Sequence, residues 1–97
     1  MTTQLRIYTI NRGQLQQFAK EWKEKVLPLR LEHGFDIEAA WTIEATNQFV
    51  WLISYEGSEE WQAKEKAYYS SVARTGMEPN PSRLIARPEH FEIEQVV

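Results

Sequence analysis

From Gln4 to Ile10 the chain alternates, with Leu5, Ile7 and Thr9 on one side and Arg6, Tyr8 and Ile10 on the other, which predicts a first strand. Asn11-Arg12-Gly13 breaks the pattern. Leu15, Phe18, Trp22, Val26 and Leu29 then recur at spacings of three or four, the mark of one buried helical stripe. Pro28 lacks a backbone donor and clashes with the carbonyl four residues back, so a kink or break is expected before Leu29. His33-Gly34 reads as the stop, with His33 as a capping side chain and Gly34 free to take the left-handed conformation. Phe35, Ile37, Ala39, Trp41 and Ile43 alternate with Asp36, Glu38, Ala40, Thr42 and Glu44; after a turn near Thr46-Asn47, Phe49, Trp51, Ile53 and Tyr55 alternate with Val50, Leu52 and Ser54. These two runs predict a hairpin. A loop of odd length would set Phe49, Trp51 and Ile53 beside Trp41 and Ile43 and keep Glu38 and Glu44 off the aromatic side. Gly57-Ser58-Glu59-Glu60 predicts a helix start capped by Ser58, followed by a weaker stripe of Trp61, Ala67, Tyr68 and Val72. Gly76, Pro79, Asn80 and Pro81 mark an irregular loop between Arg74 and Arg83. Phe91, Ile93 and Val97 then alternate with His90, Glu92, Glu94 and Val96 in a last strand entered through Pro88.

The order is βαββαβ, a ferredoxin-like α+β arrangement in which two helices cover one face of a four-stranded antiparallel sheet. Leu5, Ile7, Phe35, Ile37, Trp41, Phe49, Trp51, Ile53, Phe91 and Ile93 are expected beneath the helices, against Phe18, Trp22, Trp61 and Tyr68. The other face then carries Arg6, Tyr8, Ile10, Glu38, Ala40, Thr42, Val50, Leu52, Ser54, His90, Glu92 and Val96. That mixture is too apolar for an ordinary wet surface and too charged for a plain core. Two copies packed sheet to sheet would bury its apolar members and enclose the polar ones in a cavity.

Several segments, taken in order, resemble a known family. They are Leu5 to Ile10 followed by Gly13, Leu27-Pro28-Leu29-Arg30 before His33-Gly34-Phe35, Ala40-Trp41, Phe49 to Glu56, and Ala67-Tyr68-Tyr69-Ser70-Ser71. Together they look like the NIPSNAP family, within the dimeric α/β-barrel superfamily. The resemblance spans almost the whole chain, read as one domain over residues 1–97. It implies a homodimer whose two sheets form a barrel, and no particular chemistry. Relatives in the superfamily range from cofactor-independent monooxygenases and muconolactone isomerases to haem-degrading enzymes, and fold does not stand in for site. The Asn, Trp and His constellation of the haem-degrading relatives has no match here, because Tyr8 and Thr9 occupy the centre of the first strand and Asn11 comes only at its exit.

Composition narrows the function classes. The chain has 97 residues, 42% hydrophobic, with four Trp, four Tyr, four Phe and no Cys. Without cysteine, disulfides and thiol chemistry are excluded. A net charge of -3 speaks against nucleic acid or an anionic membrane as partner. RNA-recognition motifs share this strand order, yet Gln48 stands where their basic-glycine entrance belongs and no lysine falls in an expected strand. The longest apolar run, Phe49 to Ile53, is far too short to span a membrane, and Met1-Thr2-Thr3-Gln4 lacks a basic flank, so a cytoplasmic protein is expected.

The candidate ligand cavity comprises Arg6, Tyr8, Glu38, Thr42, Leu52, His90 and Glu92. For catalysis, Glu38 or Glu92 is the candidate base, and Arg6 with Tyr8 would stabilise a developing enolate or oxyanion. The plainer alternative is that Arg6 neutralises a glutamate and Tyr8 packs with its hydroxyl satisfied. His90-Phe91-Glu92 puts a histidine and a carboxylate on one side of a strand, but with two His and no Cys the chain has no metal-binding spacing, and no metal or cofactor is expected. The four Trp sit within amphipathic stripes and read as core. Tyr68 to Ser71, with Arg74, reads either as a polar rim beside the long loop or as an ordinary helix end. The expected partners are a second copy of the chain and a small hydrophobic or aromatic molecule, in a binding module or in a cofactor-independent enzyme of monooxygenase or isomerase type.

Overall fold

In a computed structural model describing all 97 residues, β1 (Thr2–Ile10), β2 (Asp36–Ile43), β3 (Gln48–Tyr55) and β4 (Ile85–Glu92) form one antiparallel sheet in the order β2-β3-β1-β4. This is the ferredoxin-like α+β topology expected from the element order. Between β1 and β2, α1 (Leu15–Glu21) runs through a π-helical turn at Trp22–Val26 into α2 (Leu27–Glu32). The Leu27 N–H donates to the Trp22 carbonyl, five residues back. That widened turn replaces the expected kink, and Pro28 opens the next α-helical segment, where a missing N–H costs little. His33 and Gly34 end the helix as expected: His33 Nδ1 lies 3.1 Å from the Leu29 carbonyl, and Gly34 takes φ 87°. No helix is long and apolar enough to cross a membrane.

The second helical region, α3 (Trp61–Ser70) followed by α4 (Val72–Thr75), starts three residues beyond Ser58. Ser58 therefore does not cap it; Glu60 holds the cap position without a side-chain bond, and the Tyr55 hydroxyl receives the Glu59 N–H at 3.4 Å. The inward stripe of α3 is Trp61, Lys64, Glu65 and Tyr68, while Ala67 is exposed. Ser71 breaks the helix by accepting the Arg74 N–H at 3.1 Å, and Val72, expected inside, is 88% exposed. β4 spans Pro88 on the sheet edge, where the lost donor faces no partner, and ends at Glu92, short of Val97.

The face assignment needs correction on three strands. Only β3 is oriented as expected, with Phe49, Trp51 and Ile53 beneath the helices at 3%, 1% and 0% exposure. The register pairs Arg6 with Trp51 and Tyr8 with Phe49, so Arg6, Tyr8 and Ile10 lie on the covered face and Leu5 and Ile7 on the open one. In β4, His90 pairs with Arg6 and Phe91 with Leu5, which puts Phe91 on the open face. The hairpin loop, Glu44 to Asn47, is even in length, so Thr42 pairs with Phe49 and Trp41 with Val50, and Trp41 is half exposed on the open face. The feared burial of glutamates does not follow. A bulge between Ile37 and Ala39 accommodates Glu38 and lets Ile37 join the core opposite Ile53, while Glu44 leaves the strand in a 3-10 turn.

Aromatic rings fill the space between the layers. Phe18 meets Phe49 edge-on at 5.1 Å, and Trp22 lies 5.0 Å from Phe49 and 5.3 Å from Trp51. Large rings bury much area per residue, which lets a short chain form a core without disulfides. The end of this layer is pinned by Glu21, 3% exposed, which takes both Nη groups of Arg83 at 2.6 and 2.8 Å. The Arg83 hydrogen bonds hold the Glu21 carboxyl down at about 2, below its ordinary 4.5. A carboxyl depressed on folding stabilises above the unfolded value and loses that contribution as pH falls toward 2. Glu21→Gln is therefore expected to lower stability at pH 7 by about 1–3 kcal/mol and to flatten its pH dependence between 4.5 and 2, as checked by urea unfolding across that range.

Candidate functional site

Two buried guanidiniums organise the covered face. Arg6 comes from the middle of β1 and Arg30 from α2, 6% and 1% exposed. Periodicity alone hides Arg30, which lies eight residues after Trp22 and so about 80° off its line on a regular helix. The π-helical turn adds one residue and takes back about 100°, bringing Arg30 over the aromatic core. There its guanidinium sits 3.8 Å from the Tyr68 ring centre and 4.7 Å from that of Phe35.

Glu65 on α3 bridges the two arginines, one oxygen to each. Arg6 Nη2 donates to Oε2 at 3.0 Å, and Arg30 Nη1 donates to Oε1. Arg6 also donates to Gln4 Oε1 at 3.0 Å and to the hydroxyls of Tyr69 and Tyr8 at 3.4 and 3.5 Å, while Arg30 reaches the Tyr69 hydroxyl at 3.2 Å. Burial would lower the Arg6 pKa, but the oxygens of Tyr8, Glu65 and Tyr69 outweigh it and hold the guanidinium charged. Burial pushes the Tyr8 and Tyr68 phenols up despite neighbouring arginines, so both are neutral near pH 7.

Beside this network lies a cavity of about 220 Å³, with Phe18, Trp22 and Trp51 on its apolar side, Arg30 and Arg74 on its basic side, and Pro81-Ser82 at the loop. A second recess of about 260 Å³ adjoins it across Tyr8, Tyr69 and Pro88 and is polar, lined by Gln4, Arg6, Glu65 and His90. An apolar cavity of about 150 Å³ holds a benzene molecule. Among the residues lining the two spaces, the indole N–H groups of Trp22 and Trp51, the Tyr68 hydroxyl and the Nε groups of Arg6 and Arg30 are buried without a hydrogen-bond partner.

The structure brings Arg6, Tyr8 and His90 together here and puts the other expected site residues elsewhere. Thr42 borders a shallow recess with Trp22, Trp41 and Phe49. Glu38 and Leu52 meet Met1, Thr3 and Ile93 in a different recess, on the open side. Glu92 pairs with Gln4 on the edge strand and is exposed. The carboxylate beside Arg6 is instead Glu65, whose signal in the sequence is its place four residues after Trp61 and three before Tyr68. Of the run Tyr68 to Ser71, Tyr68 and Tyr69 line the cavity with Arg74, while the Ser70 and Ser71 hydroxyls donate to the Lys66 and Tyr68 carbonyls at the helix end, so each of the two readings describes part of it.

Fold and site together define a ferredoxin-like α+β domain with an arginine-lined chamber beneath its helices. The NIPSNAP family model matches residues 3–91, and the chain belongs to that family. Among solved structures, a NIPSNAP domain protein from Burkholderia xenovorans is similar at a TM-score of 0.84 and 16% identity, over 99% of this chain and 95% of that one. A NIPSNAP family protein from Agrobacterium tumefaciens gives 0.83 and 16%, over 96% and 90%. A Nitrosomonas europaea protein assigned to the antibiotic biosynthesis monooxygenases gives 0.70 and 8%, over 98% and 89%. At such identities the likeness establishes the fold alone. No curated protein matched the sequence.

Proposed function

We propose that this chain is a homodimeric binding domain for a small aromatic or hydrophobic molecule, held within each chain between helices and sheet. The observation that carries the binding reading is the chamber itself: the rings of Phe18, Trp22 and Trp51 and the guanidiniums of Arg30 and Arg74 line one space, with a volume suited to a substituted ring. The dimer reading is supported by the open face, where Trp41, Ile43, Phe91 and Ile93 are 50%, 40%, 50% and 36% exposed around Leu5, Ile7, Val50 and Leu52. The accessible surface is 6307 Å², against about 5,800 Å² for a folded monomer of this mass. A second copy laid on that face removes the excess. A cytoplasmic setting is in keeping with a chain free of cysteine.

Titration with 1-naphthol, followed by the Trp22 and Trp51 indole N–H resonances, tests the binding reading. Saturable shifts of both signals are expected, and signals that stay put would sink it. A second reading, a cofactor-independent enzyme on such a compound, is favoured by Arg6 donating to the Tyr8 and Tyr69 hydroxyls, an arrangement suited to an enolate or oxyanion. In that case Glu65, rather than Glu38 or Glu92, is the carboxylate lining the recess. Turnover of 1-naphthol that falls at least tenfold in Tyr8→Phe would select this reading, and binding without turnover would select the first.

A further inference from the structure

The charges around the chamber do not balance. Arg6 and Arg30 share the single carboxylate of Glu65, which leaves one buried positive charge without a counter-ion in the chain. Arg74 adds another cation to the chamber wall; it stacks 5.3 Å from the Tyr69 ring centre and forms no ion pair. Other carboxylates are committed elsewhere: Glu21 to Arg83, Glu89 to Arg87, and Glu38 on the open side. The neutral Tyr8 phenol supplies no negative charge. Burying an ion without a partner is strongly unfavourable, and the unpaired Nε groups of Arg6 and Arg30 repeat the imbalance at the level of single atoms.

We propose that the chamber takes a small aromatic carboxylate, its ring against Phe18, Trp22 and Trp51 and its carboxylate drawn to Arg30 and Arg74. This rests on the reading of the chamber as the binding site and adds the charge class of the ligand. Planar guanidiniums suit a carboxylate, whose two oxygens accept from two N–H groups at once. Glu65 supplies one charge to the two arginines it bridges, so the ligand completes the charge beside Arg30 and Arg74 without displacing the bridge.

Benzoate and its neutral isostere benzamide, titrated separately into the full-length protein and followed by the Trp22 and Trp51 indole N–H signals, provide the test. Benzoate is expected to bind at least tenfold more tightly than benzamide. Arg74→Gln should erase most of that preference by weakening benzoate far more than benzamide, and Arg74→Lys should retain part of it. Equal affinities for the two probes would overturn the carboxylate assignment and leave the chamber standing as a neutral aromatic site. Failure of both probes to shift the indoles would remove the chamber reading as well. Inorganic phosphate matching benzoate at the same indoles would overturn the aromatic part of the assignment. A melting curve of Arg74→Gln checks that it folds; should it not, the Arg74→Lys comparison decides.

Discussion

Glu65→Gln is expected to destabilise this domain more than any other single polar substitution, by about 3–5 kcal/mol. Its carboxylate is the common acceptor for Arg6 and Arg30, both almost wholly buried. An amide keeps the shape, removes the charge and leaves two guanidiniums facing each other without a counter-ion. In a domain of this size such a loss corresponds to a fall in melting temperature of roughly 15–30 °C. Arg30→Met gives the contrast, since it leaves the neutral pair Arg6–Glu65 and replaces a cation by a flexible apolar chain; a much smaller fall is expected. Thermal unfolding followed by circular dichroism checks both. A Glu65→Gln protein melting within a few degrees of the parent would show that the bridge does not carry the balance of buried charge.

Leu52→Glu is expected to turn the proposed dimer into a monomer. Leu52 lies near the middle of the open face, paired with Leu5 on β1 and Ala39 on β2. Each dimer would bury two new carboxylates against apolar side chains, and a penalty of about 3 kcal/mol already weakens association more than 100-fold. Light scattering at micromolar concentration reads the change, and far-ultraviolet circular dichroism should be unaltered because the helix-covered core is untouched. A variant that remains fully dimeric would mean that the copies associate through another surface.

The topology was legible because it depends on the type and order of elements, which periodicity reports well. The faces were less legible. Strand parity sorts residues into two sets without saying which set the helices cover, and both sets here carry large apolar residues. Arg6 was expected on the open side because a charged side chain in a strand ordinarily avoids the core. The expectation fails because Glu65 and Tyr69, about sixty residues away, neutralise and bond it. The bulge at Glu38 broke parity within β2, so no single alternation could describe Phe35 to Ile43. Arg6, Tyr8 and His90 were found as neighbours because their cross-strand pairing follows from the sheet order. Arg30 escaped because its position depends on a departure from regular helix geometry.

That departure has a consequence for engineering and for comparing sequences. The turn at Trp22–Val26 holds one residue more than an α-helix needs, and regularising the backbone there at unchanged length would rotate everything downstream by about 100°. Leu29 would swing into the place of Arg30, giving a smoother helix above a chamber that has lost its deepest cation. Substitutions chosen to strengthen this helix at its present length therefore act against the site, whereas a homologue shorter by one residue in this segment would keep the same electrostatic interior beneath a regular helix.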